Sequence, residues 1–300
     1  MFPLKRLAHR IRNFLIAPLL EQNVPPMQPS DAVAQLQLML TYRTLAQSGG
    51  KLPHLSDIGF KAFSQADEDG ILLFIFSVIG VKNKKTVEIC AGDGLECNTA
   101  NLIINHGWSG LLVDGNEALV KQGREFYARN PQTYVCPPKF IHSWVTRDNV
   151  NRLIRDNGFE DEIDLFSLDM DGVDYWIWDA LDAINPRVVV VEYHNILGPD
   201  LSWTVPYRDD FNAYKYPTTQ GMPNYCGASL TAFTKLANRR GYKLVGCNRY
   251  GYNAFFVRKD ADEKDLLSEI SVAECFALPN MLTAMKERFP LVQDLPWIEV

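Results

Sequence analysis

Two stretches of this 300-residue chain gather side chains that can move protons or bind a cation. The first, Ser167-Leu168-Asp169-Met170-Asp171-Gly172-Val173-Asp174, holds three carboxylates within six residues. The second is Glu192-Tyr193-His194-Asn195. Asp169, Glu192 and His194 are the candidate catalytic residues. His194 is the candidate general base for a hydroxyl, because an unperturbed imidazole titrates near neutrality. Asp169, Asp171, Glu192 and Asn195 together offer the oxygen ligands that Mg2+ takes. The plainer readings are that Asp171 and Asp174 cap the following helix and that His194 is satisfied by its own loop.

A third stretch, Val87-Glu88-Ile89-Cys90-Ala91-Gly92-Asp93-Gly94-Leu95-Glu96, has the form of a strand running into a glycine turn. Gly92 and Gly94 let the backbone turn sharply and approach a ligand. Glu88 can accept hydrogen bonds from an ammonium group or from the loop. A phosphate-binding turn wants a third glycine, but position 97 is Cys97, and Asp93 and Glu96 would repel an anion. A cationic ligand such as the sulfonium and ammonium of S-adenosylmethionine suits these acids. Asp114, in Leu112-Val113-Asp114-Gly115-Asn116, follows the glycine pair at the spacing expected of an acid that binds ribose hydroxyls. Ser143 and Trp144 follow the next strand, where Ser143 can meet the polar atoms of an adenine and Trp144 can stack on it. The candidate cofactor set is therefore Glu88, Gly92, Gly94, Asp114, Asn116, Ser143, Trp144 and Asp169.

These side chains must be held by strands that alternate with helices. Apolar runs at Thr86–Cys90, Gly110–Asp114, Lys139–Ser143, Leu165–Asp169 and Arg187–Tyr193 read as strands, separated by helical patterns. The four consecutive valines Val188–Val191 suit a strand buried on both faces. Such alternation predicts a Rossmann-like, doubly wound α/β fold with a mainly parallel sheet. Lys243–Asn248 and Asn253–Arg258 are joined by only Arg249-Tyr250-Gly251-Tyr252, which is too short for a parallel crossover. The prediction is thus a seven-stranded sheet closed by a C-terminal antiparallel hairpin, the class I methyltransferase fold. Residues 58–260 form this domain, and residues 196–226, rich in Trp, Tyr and Pro, form a substrate loop or lid. Residues 1–57 read as a helical appendage and residues 261–300 as a helical tail over Glu263–Ser271 and Leu282–Arg288.

Composition narrows the function classes. Net charge is −6, which argues against a nucleic-acid binder. The six cysteines show no C-x-x-C spacing and read as reduced thiols, pointing to the cytoplasm. No run of 18 apolar residues is present. Residues 1–20 carry Lys5, Arg6, Arg10 and Arg12 with no acid, and Leu4, Leu7, Ile11 and Leu15 at helical spacing. That pattern fits a basic amphipathic helix with peripheral membrane contact on the cytoplasmic face, or a helix packed on the main domain.

The stretch Phe63-Ser64-Gln65-Ala66-Asp67-Glu68-Asp69-Gly70, the glycine loop with Asn98-Thr99 behind it, Gly107-Trp108, Asp114-Gly115-Asn116 and Leu168-Asp169-Met170-Asp171-Gly172 together resemble the FkbM-type methyltransferases. The resemblance covers roughly residues 60–258. It implies a class I, S-adenosylmethionine-dependent enzyme that methylates a hydroxyl on a glycan, glycolipid or natural product. The sequence departs from that family at Cys90-Ala91-Gly92, at Asp169-Met170-Asp171-Gly172 and in the long aromatic loop. The competing readings are a non-catalytic Rossmann-like protein that binds a glycan or partner, and an NAD-dependent oxidoreductase. The missing third glycine and the terminal hairpin count against the oxidoreductase.

Overall fold

The computed structural model describes residues 29–276 and 279–300. The basic segment 1–20 lies outside the described residues. Helix α1 spans Pro29–Gln47. Tyr42–Val300 form one compact unit.

The unit is built on seven strands: β1 (Lys85–Ile89), β2 (Ser109–Asp114), β3 (Lys139–His142), β4 (Asp161–Leu168), β5 (Ile184–Glu192), β6 (Tyr242–Cys247) and β7 (Asn253–Arg258). Their order is β3-β2-β1-β4-β5-β7-β6. The first five are parallel, and β7 lies antiparallel between β5 and β6. The expected α/β sheet with its terminal hairpin is therefore the observed one.

Alternate residues of the central strands feed two separate cores, because successive strand side chains point to opposite faces. Val87, Phe166, Val189 and Phe256 pack with α5 (Val150–Asp156), α6 (Asp174–Ala180) and α7 (Leu230–Arg239). Leu165, Val188, Val190 and Phe255 pack with α2 (Glu68–Ile79), α3 (Ala100–His106) and α4 (Glu117–Arg129). Both faces are thus covered, which is why the valine run carries no polar alternation.

At the start of α2, Asp67 makes no side-chain cap bond. Instead Asp69 takes the amides of Ala62, Phe63 and Ser64 at 2.6–2.8 Å. Glu68 takes Asn248 Nδ2 and Asn253 Nδ2, at 2.7 and 3.0 Å, from the hairpin. The predicted helix at Glu263–Ser271 is absent. Asp262 accepts from the amides of Leu266 and Leu267 and from Lys243 Nζ, and such side-chain bonds to backbone N–H groups compete with a helix. The tail continues as α8 (Val272–Cys275) and α9 (Pro279–Arg288), and Ile298–Glu299 pairs with Trp203–Thr204 of the aromatic loop.

Candidate functional site

The five parallel strands end at one edge, and the sheet order reverses between β1 and β4. The chain leaves β1 for α3 on one face and leaves β4 for α6 on the other, which opens a crevice at the switch point. The glycine loop, Asp114, Asp169 and Glu192 all stand at this edge.

The glycine loop is fixed from two sides. Asp114 Oδ2 accepts from Gly92 N at 2.8 Å, and Oδ1 from Asn116 N at 2.7 Å. Each oxygen has a further lone pair for a ligand. Asn116 caps α4 through the amides of Ala118 and Leu119, so its side-chain oxygen serves the helix. Glu88 is buried and accepts from Asn98 N, Thr99 N, Thr99 Oγ1 and Ser167 Oγ at 2.5–3.1 Å. Its carboxylate organises the loop, which is the second of its two expected uses. The two glycines differ in role. Gly94 is left-handed, and a side chain there would collide with Phe140 and Tyr127. At Gly92, also left-handed, a Cβ would meet nothing within 4 Å, so its outer side is open.

Cys90, between β1 and the glycines, is the residue that sequence reasoning passed over. It is left-handed (φ 63°), exposed, and lines the crevice. A non-glycine residue in this conformation is strained by roughly 1–2 kcal/mol. We expect Cys90→Gly to stabilise the fold by about 1 kcal/mol after the extra flexibility of an unfolded glycine is offset, read as a higher urea midpoint with an unchanged slope.

The carboxylates fall into three environments. Asp174 is buried and accepts from Met170 N at 2.7 Å and Gly172 N at 3.0 Å, which shapes the turn into α6. Asp171 is exposed and left-handed. Asp169 and Glu192 lie side by side at the ends of β4 and β5, and their carboxyls interact directly. Burial, then the charges of Asp174 and Asp171, raise Asp169 to about 7. Glu192 is raised well above the usual range, first by burial and then by Asp169.

The magnesium set Asp169, Asp171, Glu192 and Asn195 is not assembled. Among the described residues no three His, Cys, Asp or Glu side chains are grouped to hold a metal ion. Asn195 is buried in the turn Asn195–Leu197.

His194, the candidate general base, lies against Asn224 and Cys226. Its Nε2 lies 2.9 Å from Asn224 O and its Nδ1 3.9 Å from Cys226 Sγ. Burial lowers its pKa to about 4, so the ring is neutral and weakly basic.

Beyond β3 the cleft is walled by Cys90, Gly115, Ser143 and Trp144 on the sheet side, and by Tyr207, Asp209 and Phe211 of the aromatic loop. Its enclosed volume is about 80 Å³, well below the roughly 300–1,000 Å³ usual for small-ligand sites. The loop is latched across this cleft. Trp144 Nε1 donates to Asp209 O at 2.7 Å, and Arg147 N to the Tyr207 hydroxyl at 2.8 Å. The Arg147 guanidinium lies 4.3 Å from the Tyr207 ring centre. Phe211 stacks on Tyr216, Tyr216 tilts against Tyr225, and Tyr225 meets Trp297 edge-on. Trp144 itself is exposed, and Ser143 is half-buried with its amide on Asp114 O at 3.0 Å. The aromatic density of residues 196–226 signalled a lid, but no sequence feature named Trp144 and Arg147 as its latch.

No family model and no curated protein sequence matches the chain. Among solved structures, its fold is similar to a putative caffeoyl-CoA O-methyltransferase from Staphylococcus aureus (13% identity, 82% of this chain and 98% of that one, TM-score 0.42). It is also similar to the O-methyltransferase from Bacillus cereus in complex with SAH (11% identity, 81% and 95% coverage, TM-score 0.40). A third is the magnesium protoporphyrin IX methyltransferase from Synechocystis with bound SAM (10% identity, 64% and 77% coverage, TM-score 0.40). At these identities the likeness concerns the fold, and the acceptors in those names belong to those proteins.

Proposed function

We propose that this chain is an S-adenosylmethionine-dependent methyltransferase of the FkbM type that methylates a hydroxyl of a glycan, glycolipid or natural product. The observation that carries the reading is the crevice between β1 and β4. There a glycine loop is pinned to Asp114 and surrounded by carboxylates. Asp114, Asp169 and Asp171 suit a ligand with sulfonium and ammonium charges. The acids Asp93 and Glu96 beside the same loop disfavour a dinucleotide pyrophosphate.

The bound cofactor supplies a methyl group already activated by its sulfonium. The protein's share is alignment and proton handling. Asp114 receives the ribose hydroxyls on its remaining lone pairs. Trp144, Tyr207 and Phe211 enclose the adenine and exclude water from it. Asp169, beside Glu192, takes the proton of the acceptor hydroxyl. Holding that oxygen in line with the methyl group contributes several orders of magnitude in rate.

Among the described residues no helix is long and apolar enough to cross a membrane. We place the protein in the cytoplasm, with segment 1–20 on the membrane surface near a lipid-linked acceptor. One observation favours a second, non-catalytic reading: Cys90 puts a side chain on the crevice wall where the neighbouring Gly92 leaves room.

Titration calorimetry with S-adenosylmethionine and S-adenosylhomocysteine, using NAD as the control, decides between them. Micromolar binding of both sulfur ligands and none of NAD is expected. Binding of neither would leave the non-catalytic scaffold standing.

A further inference from the structure

A second groove opens at the same edge of the sheet, beside the turn that joins β6 to β7. It holds about 420 Å³, within the roughly 300–1,000 Å³ of small-ligand sites, and its walls include Lys61, Gln65, Asp67, Arg249, Tyr250 and Tyr252. Two bonds fix its place. Tyr193 N, directly after the last residue of β5, donates to Tyr252 O at 2.8 Å, and the next residue, Asn253, pairs with Glu192. Lys61 Nζ donates to Glu96 Oε2, beside the glycine loop, at 3.2 Å. The groove is thus tied on one side to the end of β5 and on the other to the loop that follows β1. Its aromatic wall stays on the surface: Tyr250 and Tyr252 are both exposed, with rings inclined by only 17° and centres 6.4 Å apart. Its carboxylate is spent, because Asp67 is buried and accepts from Arg249 Nε at 2.9 Å. Its cations are not. Arg249 Nη2 donates to Gly59 O at 2.9 Å, and Nη1 bonds to no described residue. Lys61 Nζ carries three N–H groups and gives two, to Gln65 O and Glu96 Oε2. The guanidinium stands 5.9 Å from the Tyr250 ring centre, so spare cationic donors lie beside aromatic faces.

We infer that this groove is a binding site for an acidic sugar. The apolar C–H face of the sugar ring lies on Tyr250 and Tyr252, and its carboxylate or phosphate meets Arg249 and Lys61. Guanidinium N–H groups match both anions in geometry, and such charge-assisted bonds are the strong ones. A neutral sugar would cover the rings and leave the cationic donors unmatched. The further role of this sugar as the methyl acceptor rests on the methyl-transfer reading, but its binding in the groove does not.

The test is saturation-transfer NMR of the full chain with three probes: methyl β-D-glucopyranoside, its uronic acid and glucose 6-phosphate. At least one anionic probe should bind about tenfold or more tighter than the neutral one, because a hydrogen bond to a charged group is worth that factor. Saturation should be strongest at the ring C–H protons. The order of the two anions tells a carboxylate site from a phosphate site. Lys61→Ala should weaken the anionic probe about tenfold and leave the neutral one unchanged. Tyr250→Ala should weaken both kinds by a similar factor of about threefold or more. Lys61 is on the surface, so its variant reads the site where Tyr250→Ala fails to fold. Equal affinity for all three probes, no binding of any, or full affinity for the anionic probe in Lys61→Ala would overturn the inference. Calorimetry with S-adenosylhomocysteine is run beside it. Absence of that binding with the acidic sugar still bound would remove the methyl-transfer reading and leave the sugar site standing.

Discussion

Asp169→Asn should lower the methyl-transfer rate by roughly 100- to 10,000-fold while cofactor affinity changes only a few-fold, the range typical for loss of a general base. The reason lies in the pair, not in one residue. Two carboxyls in contact cannot both ionise cheaply, so one proton is held between them. Burial raises both groups, and the Asp169 charge raises Glu192 further. With Asp169 raised to about 7, the working base forms only as pH rises through neutrality. The rate of the wild type should therefore climb with an acid limb near 7, not near 4. Glu192→Gln keeps a donor to Asp169 but removes the neighbouring titratable group, and should move the limb to lower pH. A limb that stays near 4 in the wild type would assign the proton to another group.

The same pair makes a statement about stability. Asp169 has a folded pKa above the usual 3.8, so its contribution is present below about 4 and is lost as pH rises through 7. Asp69 and Asp174, each raised to about 6, act in the same direction. His106 and His194, both lowered to about 4 by burial, act in the opposite direction between about pH 4 and 6.5. The melting temperature should therefore fall chiefly as pH rises from about 6.5 to 8, and Asp169→Asn should flatten that fall.

The sheet was legible because its cause is local. Four valines in a row need two apolar faces, and a four-residue connection forces an antiparallel return. Asp114 and the glycine pair were legible for the same reason, as their spacing follows from one βα unit. What stayed hidden depends on partners far along the chain. Glu88 offered an ammonium ligand or a loop as equal readings, and only the fold brings Asn98, Thr99 and Ser167 onto its oxygens. Asp67, Glu68 and Asp69 look like a helix start, yet Glu68 meets Asn248 across 180 residues. Cys90 differs again: its left-handed backbone is dictated by the turn, and a cysteine there gives no warning of it.

Asp114→Ala should weaken S-adenosylmethionine and S-adenosylhomocysteine binding by about 100-fold or more, and it separates the competing functions most sharply. Asp114 performs two tasks with one carboxylate. It holds the amides of Gly92 and Asn116, and it presents lone pairs at the mouth of the crevice. Hydrogen bonds to a charged group contribute about 1.5–3 kcal/mol each, and every 1.4 kcal/mol is tenfold in affinity, so losing the ribose contacts alone accounts for a 100-fold change. The loss of the Gly92 pin adds to this, because a loop free to move must be ordered again when the cofactor binds. Asp114→Asn distinguishes the two tasks. The amide keeps one acceptor oxygen and turns a donor toward a backbone N–H, so the loop loosens while the shape is retained. If binding falls equally in both variants, pinning the loop is the dominant task. If the asparagine variant retains most of the affinity, the ribose contacts dominate. A binding protein that uses only the aromatic loop would keep its glycan or partner through either change, since Tyr207, Phe211 and Tyr216 are held by Trp144, Arg147 and their own stacking rather than by Asp114.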